Sequence, residues 1–372
     1  MGADRRAAVA LAALALAACG GTPSVVTIDV RGPRATLDDL LDWESRHGRV
    51  PDRATVVFRG AREATPDLAE RAAKWRVWSG MRFEPHRRAR VIEFGWDIPD
   101  TAFLREHIRD MERAPFDGVV LDPSIGRATR FSWHVFGRER LAESTLDGAL
   151  ADLRATPFER FRHNFLRFNA TPGDLTWDAP DAMLANVRLA ARLVREGRLA
   201  GLFFDTESYQ AKLWATGSPA DVRRAGRAFG RAYDATGTTI LLAFAITQAS
   251  HPEYRLLAPF VEGLVEGAVA VDIVDACENA YGFKDGPAFE RARDAIRRSH
   301  PRLQAGFGLW MDFESGRRGW PANPHFTPAE FERAVRAASA AGDGWVWIYT
   351  ERVNWWTDPP APYADAIRNA TP

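Results

Sequence analysis

The chain has 372 residues with 49 basic and 49 acidic side chains, so its formal net charge is zero. Because it lacks a basic excess, a nucleic-acid partner is not expected. Only two cysteines are present, which excludes a fold held together by a disulfide framework. Thirteen tryptophans is a high count, and tryptophan serves large cores or stacks on flat apolar faces such as sugar rings.

The first nineteen residues have the pattern of an export signal. Two arginines precede an uncharged run from Ala7 to Ala18, which ends in small residues before Cys19. The run is shorter than the roughly 20 apolar residues that span a bilayer. Its Leu-Ala-Ala-Cys end resembles the lipobox of bacterial lipoproteins. The resemblance implies that residues 1–18 are a cleaved signal peptide and that Cys19 is lipidated.

Residues 19–90 show no clear overall periodicity, and we expect them to form a short N-terminal extension of uncertain fold. Two short apolar runs, residues 25–30 and 54–59, flank a helical pattern over residues 37–47. No internal repeat is evident.

Eight short apolar runs alternate with helical patterns in the rest of the chain. Most runs are continuously apolar, as in a parallel sheet that is covered on both faces. They span residues 91–97, 117–122, 165–169, 201–207, 239–248, 269–278, 304–312 and 344–351. This order predicts an α/β fold, a (β/α)8 barrel over residues 91–372. The alternative is an open doubly wound sheet, but no glycine-rich phosphate loop follows the first run.

Polar and aromatic residues gather at the C-terminal ends of these runs, where barrel enzymes place their active sites. The candidate catalytic residues are Asp205, Glu207, Glu278 and Glu351. The candidate substrate-binding residues are Trp96, Asp97, Asn169, Tyr209, Gln248, Tyr281, Trp310, Asp312, Tyr349 and Trp355. For Asp312, a role in anchoring a loop is an equally open interpretation.

Alternation along the strands predicts which of these side chains point into the barrel, because residues two apart share a face. Asp205 and Glu207 are expected to point inward together. Asp97 is expected to do the same with the deeper Glu93, which we interpret as a structural partner of Arg167.

Two carboxyl groups on either side of a glycosidic bond can hydrolyse it, one as the acid and the other as nucleophile or base. Aromatic side chains can hold the sugar faces, and amide, phenol and indole groups can bind the hydroxyls. The strand ends supply this inventory, so the sequence predicts a glycoside hydrolase.

The run from Gly201 to Glu207 resembles the fourth-strand signature of (β/α)8-barrel glycoside hydrolases, nearest to chitinase-like families with Asp-x-Glu. The resemblance implies that Glu207 is the general acid and that Asp205 orients it or the substrate. Two further acids of the chitinase signature are replaced by Ala200 and Phe203, so an N-acetyl-assisted mechanism is not implied. The second carboxylate is left open among Glu278, Asp312 and Glu351.

Two other functions are open. A non-catalytic barrel that captures glycans at the cell surface would use the same side chains. A metal-dependent hydrolase would need histidine-rich strand ends, and only His134 and His251 lie near barrel loops, although acids alone could form an all-oxygen site. We expect no cofactor. The expected partners are a polysaccharide or oligosaccharide and, through Cys19, a membrane outside the cytoplasm.

The lipid anchor is tested by Cys19→Ser in the full chain, expressed in a bacterial host with labelled palmitate. The variant should lose the label and leave the membrane fraction, because two or more acyl chains on one residue give stable anchoring. Cys277→Ser is the matched control and should keep both. Palmitate incorporation into the Cys19→Ser variant would contradict the prediction.

Overall fold

The structure, a computed structural model, describes residues 25–30, 34–50, 54–61, 63–75, 80–85, 89–126, 129–208, 212–243, 252–312 and 326–371. These residues divide into two compact units, within residues 1–87 and 88–372. Three residues singled out in the sequence, Cys19, Tyr209 and Gln248, lie outside the described ranges. None of the described helices combines the length and the apolar character needed to cross a membrane.

The smaller unit contains a three-stranded parallel sheet, a two-stranded one and two helices. Its elements are β1 (Val25–Asp29), β2 (Arg34–Ala35), α1 (Leu37–His47), β3 (Thr55–Gly60), β4 (Glu63–Ala64), α2 (Pro66–Trp75) and β5 (Gly80–Pro85). The sheet order is β1-β3-β5, and β2 pairs with β4. The strands and the helix expected at residues 25–30, 37–47 and 54–59 are confirmed.

An internal repeat is present in this unit, contrary to expectation. The order of strand, short strand and helix occurs twice. Each helix begins at the third residue of an Ala-Thr-x-Asp motif, which starts at Ala35 and at Ala64. In the first copy, Thr36 caps the helix and exchanges hydrogen bonds with Asp39. The motif is short, and the rest of the two copies differs enough to hide the repeat.

The larger unit alternates strands and helices throughout. Its elements are β6 (Arg90–Gly95), α3 (Thr101–Met111), β7 (Gly118–Leu121), α4 (Asp147–Ala155), β8 (Phe165–Asn169), α5 (Asp181–Glu196), β9 (Gly201–Asp205), α6 (Pro219–Asp234), β10 (Thr239–Ala243), α7 (Leu257–Gly267), β11 (Asp272–Asp275), α8 (Gly286–Ser299), β12 (Gln304–Ala305), β13 (Phe307–Trp310), α9 (Pro328–Ala341), β14 (Trp345–Thr350) and α10 (Ala361–Ala370).

An interrupted strand closes the sheet into a barrel. β12 pairs with β11 and β13 pairs with β14, while Gly306 between them donates its N–H to the carbonyl of Asp275 at 2.8 Å. β14 pairs in turn with β6, and all pairings in the ring are parallel. β12 and β13 together occupy one of eight strand positions, so the predicted (β/α)8 barrel is confirmed.

The barrel wall separates two apolar cores. Phe94, Phe203 and Trp347 meet inside the barrel, with ring centroids 4.5 to 5.6 Å apart. The alternate residues of the same strands, such as Val91 and Ile348, pack against the helices. Because both faces of each strand are covered, the strands are apolar throughout, as the sequence suggested.

Helices α6 and α7 touch backbone to backbone through glycines. A Cβ on Gly226 would lie 2.2 Å from the carbonyl oxygen of Phe260, and one on Gly263 would lie 2.0 Å from that of Arg223. Arg223 and Arg227 both form salt bridges with Glu266 beside this contact. No methyl group fits between the two helices, so the glycines set their separation.

The close contact predicts that Gly263→Ala lowers the free energy of unfolding by about 1–3 kcal/mol, because the helices must move apart. Gly148→Ala is the matched control, since Gly148 lies exposed in α4 with no atom near its missing Cβ. This control should raise stability by about 0.5–1 kcal/mol through helix propensity. Urea unfolding followed by tryptophan fluorescence measures both, and equal effects of the two substitutions would contradict the prediction.

Candidate active site

The end of β9 brings two acids to the mouth of the barrel. The backbone N–H of Glu207 donates to Oδ1 of Asp205 at 3.0 Å. The guanidinium of Arg167, from β8, lies 3.7 Å from the other oxygen of Asp205 and donates to Oδ1 of Asn169 at 2.9 Å. Asp205 therefore accepts a backbone N–H with one oxygen and faces a guanidinium with the other. The amide nitrogen of Asn169 is buried and has no protein partner, which leaves one donor at this place uncommitted.

Glu278, which follows β11, belongs to the same cluster. Burial raises its pKa well above 4.5, and the negative charges of Asp205 and Glu207 raise it further. A hydrogen bond from the hydroxyl of Tyr281 opposes this rise, but burial and like charge prevail. Glu278 therefore keeps its proton at pH values at which an ordinary glutamate has lost it.

Three tyrosines face these acids, and burial is the main reason why the pKa of each is raised. Tyr254 also feels the charges of Glu207, Asp205 and Glu278, and it hydrogen-bonds to the backbone after Glu207. Tyr281 feels Glu278 most, whereas Tyr349 feels the charge of the nearby Glu351. All three stay protonated phenols and can donate hydrogen bonds to a ligand.

Sequence reasoning missed two residues of this mouth. Tyr254 lies in the loop before α7, which folds back over the end of β9. Trp133 lies in the loop after β7, where its ring centroid is 5.8 Å from the guanidinium of Arg167. No local motif marks either residue, because long loops bring both to the mouth.

Aromatic side chains continue from the acids to the rim. Tyr281 stacks on Tyr349 with centroids 5.5 Å apart, and Trp310 meets Tyr349 edge to face at 5.2 Å. The indole N–H of Trp96 donates to the hydroxyl of Tyr349 at 2.7 Å, and Trp96 is 71% exposed. The mouth thus joins a partly buried acid cluster to an exposed aromatic ring.

Three residues expected to bind substrate make contacts within the barrel frame. Trp355 is only 2% exposed and packs edge to face against Phe116 at 4.8 Å, in the core under the helices. Asp97 accepts the backbone N–H of Trp355 at 2.8 Å. Asp312 accepts the backbone N–H groups of residues 351–353 at 2.7–3.1 Å. The contacts of Asp312 are therefore those of a residue that anchors the loop after β14.

Glu93 does not pair with Arg167, and that expectation is wrong. β6 places Glu93 in register with Val119 and Ile348, which both face the helices. The residue of β6 that points inside is the next one, Phe94. β6 carries apolar residues on both faces, so alternation alone does not determine which face points into the barrel.

The described residues contain no group of three or more histidine, cysteine, aspartate or glutamate side chains that could hold a metal ion. His134 lies 3.7 Å from Glu139 at the surface, and His251 lies outside the described ranges.

The chain was compared with known families, curated proteins and solved structures. No family model and no curated protein matches it. Xylanase 10B from Thermotoga petrophila aligns with 76% of this chain and 94% of its own, at 13% identity and a TM-score of 0.45. A GH18 chitinase from Pseudoalteromonas aurantia aligns with 76% of this chain and 100% of its own, at 12% identity and a TM-score of 0.41. Endonuclease IV from Thermus thermophilus aligns with 75% of this chain and 96% of its own, at 12% identity and a TM-score of 0.42. Likenesses this distant say nothing about activity.

The raised pKa of Glu278 predicts how stability depends on pH. The fold favours the protonated carboxyl, so this contribution is complete below about pH 4.5 and is lost as the pH rises through the raised pKa. Glu278→Gln should therefore match the wild type near pH 4 and exceed its free energy of unfolding by about 1 kcal/mol at pH 8. Exposed Glu139→Gln is the control, with no such pH dependence. Urea unfolding at both pH values measures the difference, and a Glu278→Gln variant less stable than the wild type at pH 8 would contradict it.

Proposed function

We propose that the protein is a glycoside hydrolase that acts on an extracellular or periplasmic polysaccharide or oligosaccharide, with Glu207 and Glu278 as its reacting carboxyl groups. The observation that carries the proposal is the pKa of Glu278, which burial, Asp205 and Glu207 raise. Hydrolysis of a glycosidic bond needs one protonated and one ionised carboxyl in the same site. A cluster whose members are driven to different protonation states meets this need.

The choice of Glu278 as the second carboxylate follows from the contacts of its two rivals. Asp312 is occupied by the backbone N–H groups of residues 351–353. The charge of Glu351 acts on the phenol of Tyr349, whereas the charges of Asp205 and Glu207 both act on the carboxyl of Glu278.

The charge distribution also suggests how the roles divide. The resemblance to chitinase-like families implies that Glu207 is the general acid. In the structure, however, Glu278 has the raised pKa, and a proton donor must hold its proton at the working pH. We therefore assign proton donation to the leaving oxygen to Glu278. Glu207 is then the ionised partner that attacks, activates water or stabilises positive charge, while Arg167 pairs with Asp205 beside it.

The aromatic rim supports a carbohydrate as the ligand. Trp96 offers an exposed ring at the mouth, and the phenols of Tyr254, Tyr281 and Tyr349 can donate to hydroxyls. A lipid anchor at Cys19 would hold this mouth outside the cytoplasm, where polysaccharides are met.

The proposal predicts that Glu207→Gln lowers glycan cleavage by roughly 10²–10⁴-fold, since either role of Glu207 needs a carboxyl group. New reducing ends released from a panel of polysaccharides measure cleavage, and circular dichroism confirms the fold. Glu139→Gln, an exposed acid outside the cluster, is the control and should cleave normally.

The same panel separates hydrolysis from glycan capture. Oligosaccharide binding by the wild type without any product would contradict the hydrolase and support a surface glycan-binding function. Normal turnover in the Glu207→Gln variant would remove Glu207 from the mechanism.

A further inference from the structure

Buried polar atoms without hydrogen-bond partners gather on the helix side of the barrel wall, apart from the acids of the mouth. They are both carboxyl oxygens of Glu93, Oδ1 of Asp97, Oγ1 of Thr350 and Nε1 of Trp355. Glu93 and Thr350 have no exposed surface at all. Buried polar atoms nearly always have a partner, and an ionised carboxylate without one is very costly.

Gly95 lies where these oxygens converge. A Cβ on Gly95 would lie 2.6 Å from Oγ1 of Thr350, 2.7 Å from its carbonyl oxygen and 2.8 Å from Oδ1 of Asp97. The carboxyls of Glu93 and Asp97 lie close enough to share a hydrogen bond when one of them is protonated, so the oxygens of Glu93 join the same group. β6, the residues just after it and β14 thus bring five oxygen atoms close to Gly95, and one of the five, the carbonyl of Thr350, also accepts the backbone N–H of Trp96 at 3.0 Å.

The charge of the two acids is not balanced by a basic side chain. In the described part of the chain, neither Glu93 nor Asp97 forms a salt bridge, and another charge that acts on Asp97 is the negative one of Asp312. The other oxygen of Asp97 accepts the backbone N–H of Trp355, which leaves Oδ1 for a different partner. The site has the composition of an oxygen-lined cation site and lacks only positive charge.

We propose that Glu93, Asp97 and Thr350 bind a divalent cation, Ca²⁺ in the first place, between β6 and β14. Ca²⁺ prefers carboxylate, carbonyl and hydroxyl oxygens at 2.3–2.6 Å and accepts irregular geometry. Its charge offsets two carboxylates, whereas one water molecule donates only two hydrogen bonds and offsets none. The indole N–H of Trp355 is a donor and not a ligand.

Such an ion would be structural. It would join the strand that leads to Trp96 with the strand that carries Tyr349, and these two residues share the hydrogen bond at the rim. The proposal does not depend on the hydrolase activity, because no ligand of the ion belongs to the acid cluster of the mouth.

The test uses the full-length protein in detergent, stripped with EDTA and then supplied with CaCl₂. Mass spectrometry of metal content should find about one calcium per chain after removal of free ions. Thermal unfolding should shift upward by about 5 °C or more when calcium exceeds its Kd a hundredfold. A wild type with neither bound calcium nor a thermal shift would overturn the proposal and leave a shared proton or water as the occupant.

Matched variants locate the ion. Glu93→Gln keeps the shape of the side chain and should abolish the calcium shift, while Thr350→Val removes one neutral ligand and should weaken it. Glu112→Gln is the control, because Glu112 is also buried but accepts three backbone N–H groups, those of residues 159–161. It should lose stability yet keep the full calcium shift. A full shift in both Glu93→Gln and Thr350→Val would place the calcium elsewhere and contradict the assignment.

Discussion

Repulsion between like charges at the ends of β9 and β11 is the interaction on which the proposed chemistry depends. Arg167 pairs with Asp205, and Glu207 lies next to it. Glu278 is buried against both, so it ionises only with difficulty. The barrel holds the three groups together because parallel neighbours in one sheet place their C-terminal ends at the same edge.

Acids at strand ends serve two different purposes in this barrel. Asp312 and Asp97 accept backbone N–H groups of the loop after β14 and thereby hold it in place. Asp122 does the same for the loop after β7, where its oxygens accept the backbone N–H and the hydroxyl of Ser132 at 3.1 and 2.6 Å. The acids of the mouth instead lie close to one another, and Arg167 pairs with one of them, Asp205.

Much of the barrel could be predicted from the sequence, because continuous apolar runs between amphipathic helices are typical of parallel strands covered on both faces. The prediction that Asp205 and Glu278 lie at or just after strand ends is confirmed. The faces of β6 were not predictable, since it is apolar on both. Asp97 lies beyond the last residue of β6, where strand alternation no longer fixes direction.

The contacts that loop residues make could not be predicted from hydrophobic periodicity. Trp355 was expected at the mouth because it follows Glu351 closely, but the loop after β14 turns its ring into the helix-facing core. Tyr254 and Trp133 reach the mouth from loops that carry no periodic signal. The grouping of the oxygens of Glu93, Asp97 and Thr350 likewise depends on the pairing of β6 with β14. No local sequence pattern encodes that pairing.

The division of roles between Glu207 and Glu278 is tested most directly by the dependence of hydrolysis on the leaving group. An aryl glycoside of the released sugar with a strongly acidic phenol needs no protonation, whereas a natural glycan does. We expect Glu278→Gln to lose activity on the glycan but largely to keep it on the aryl glycoside, while Glu207→Gln loses both. The opposite pattern would contradict this division and assign the general acid to Glu207.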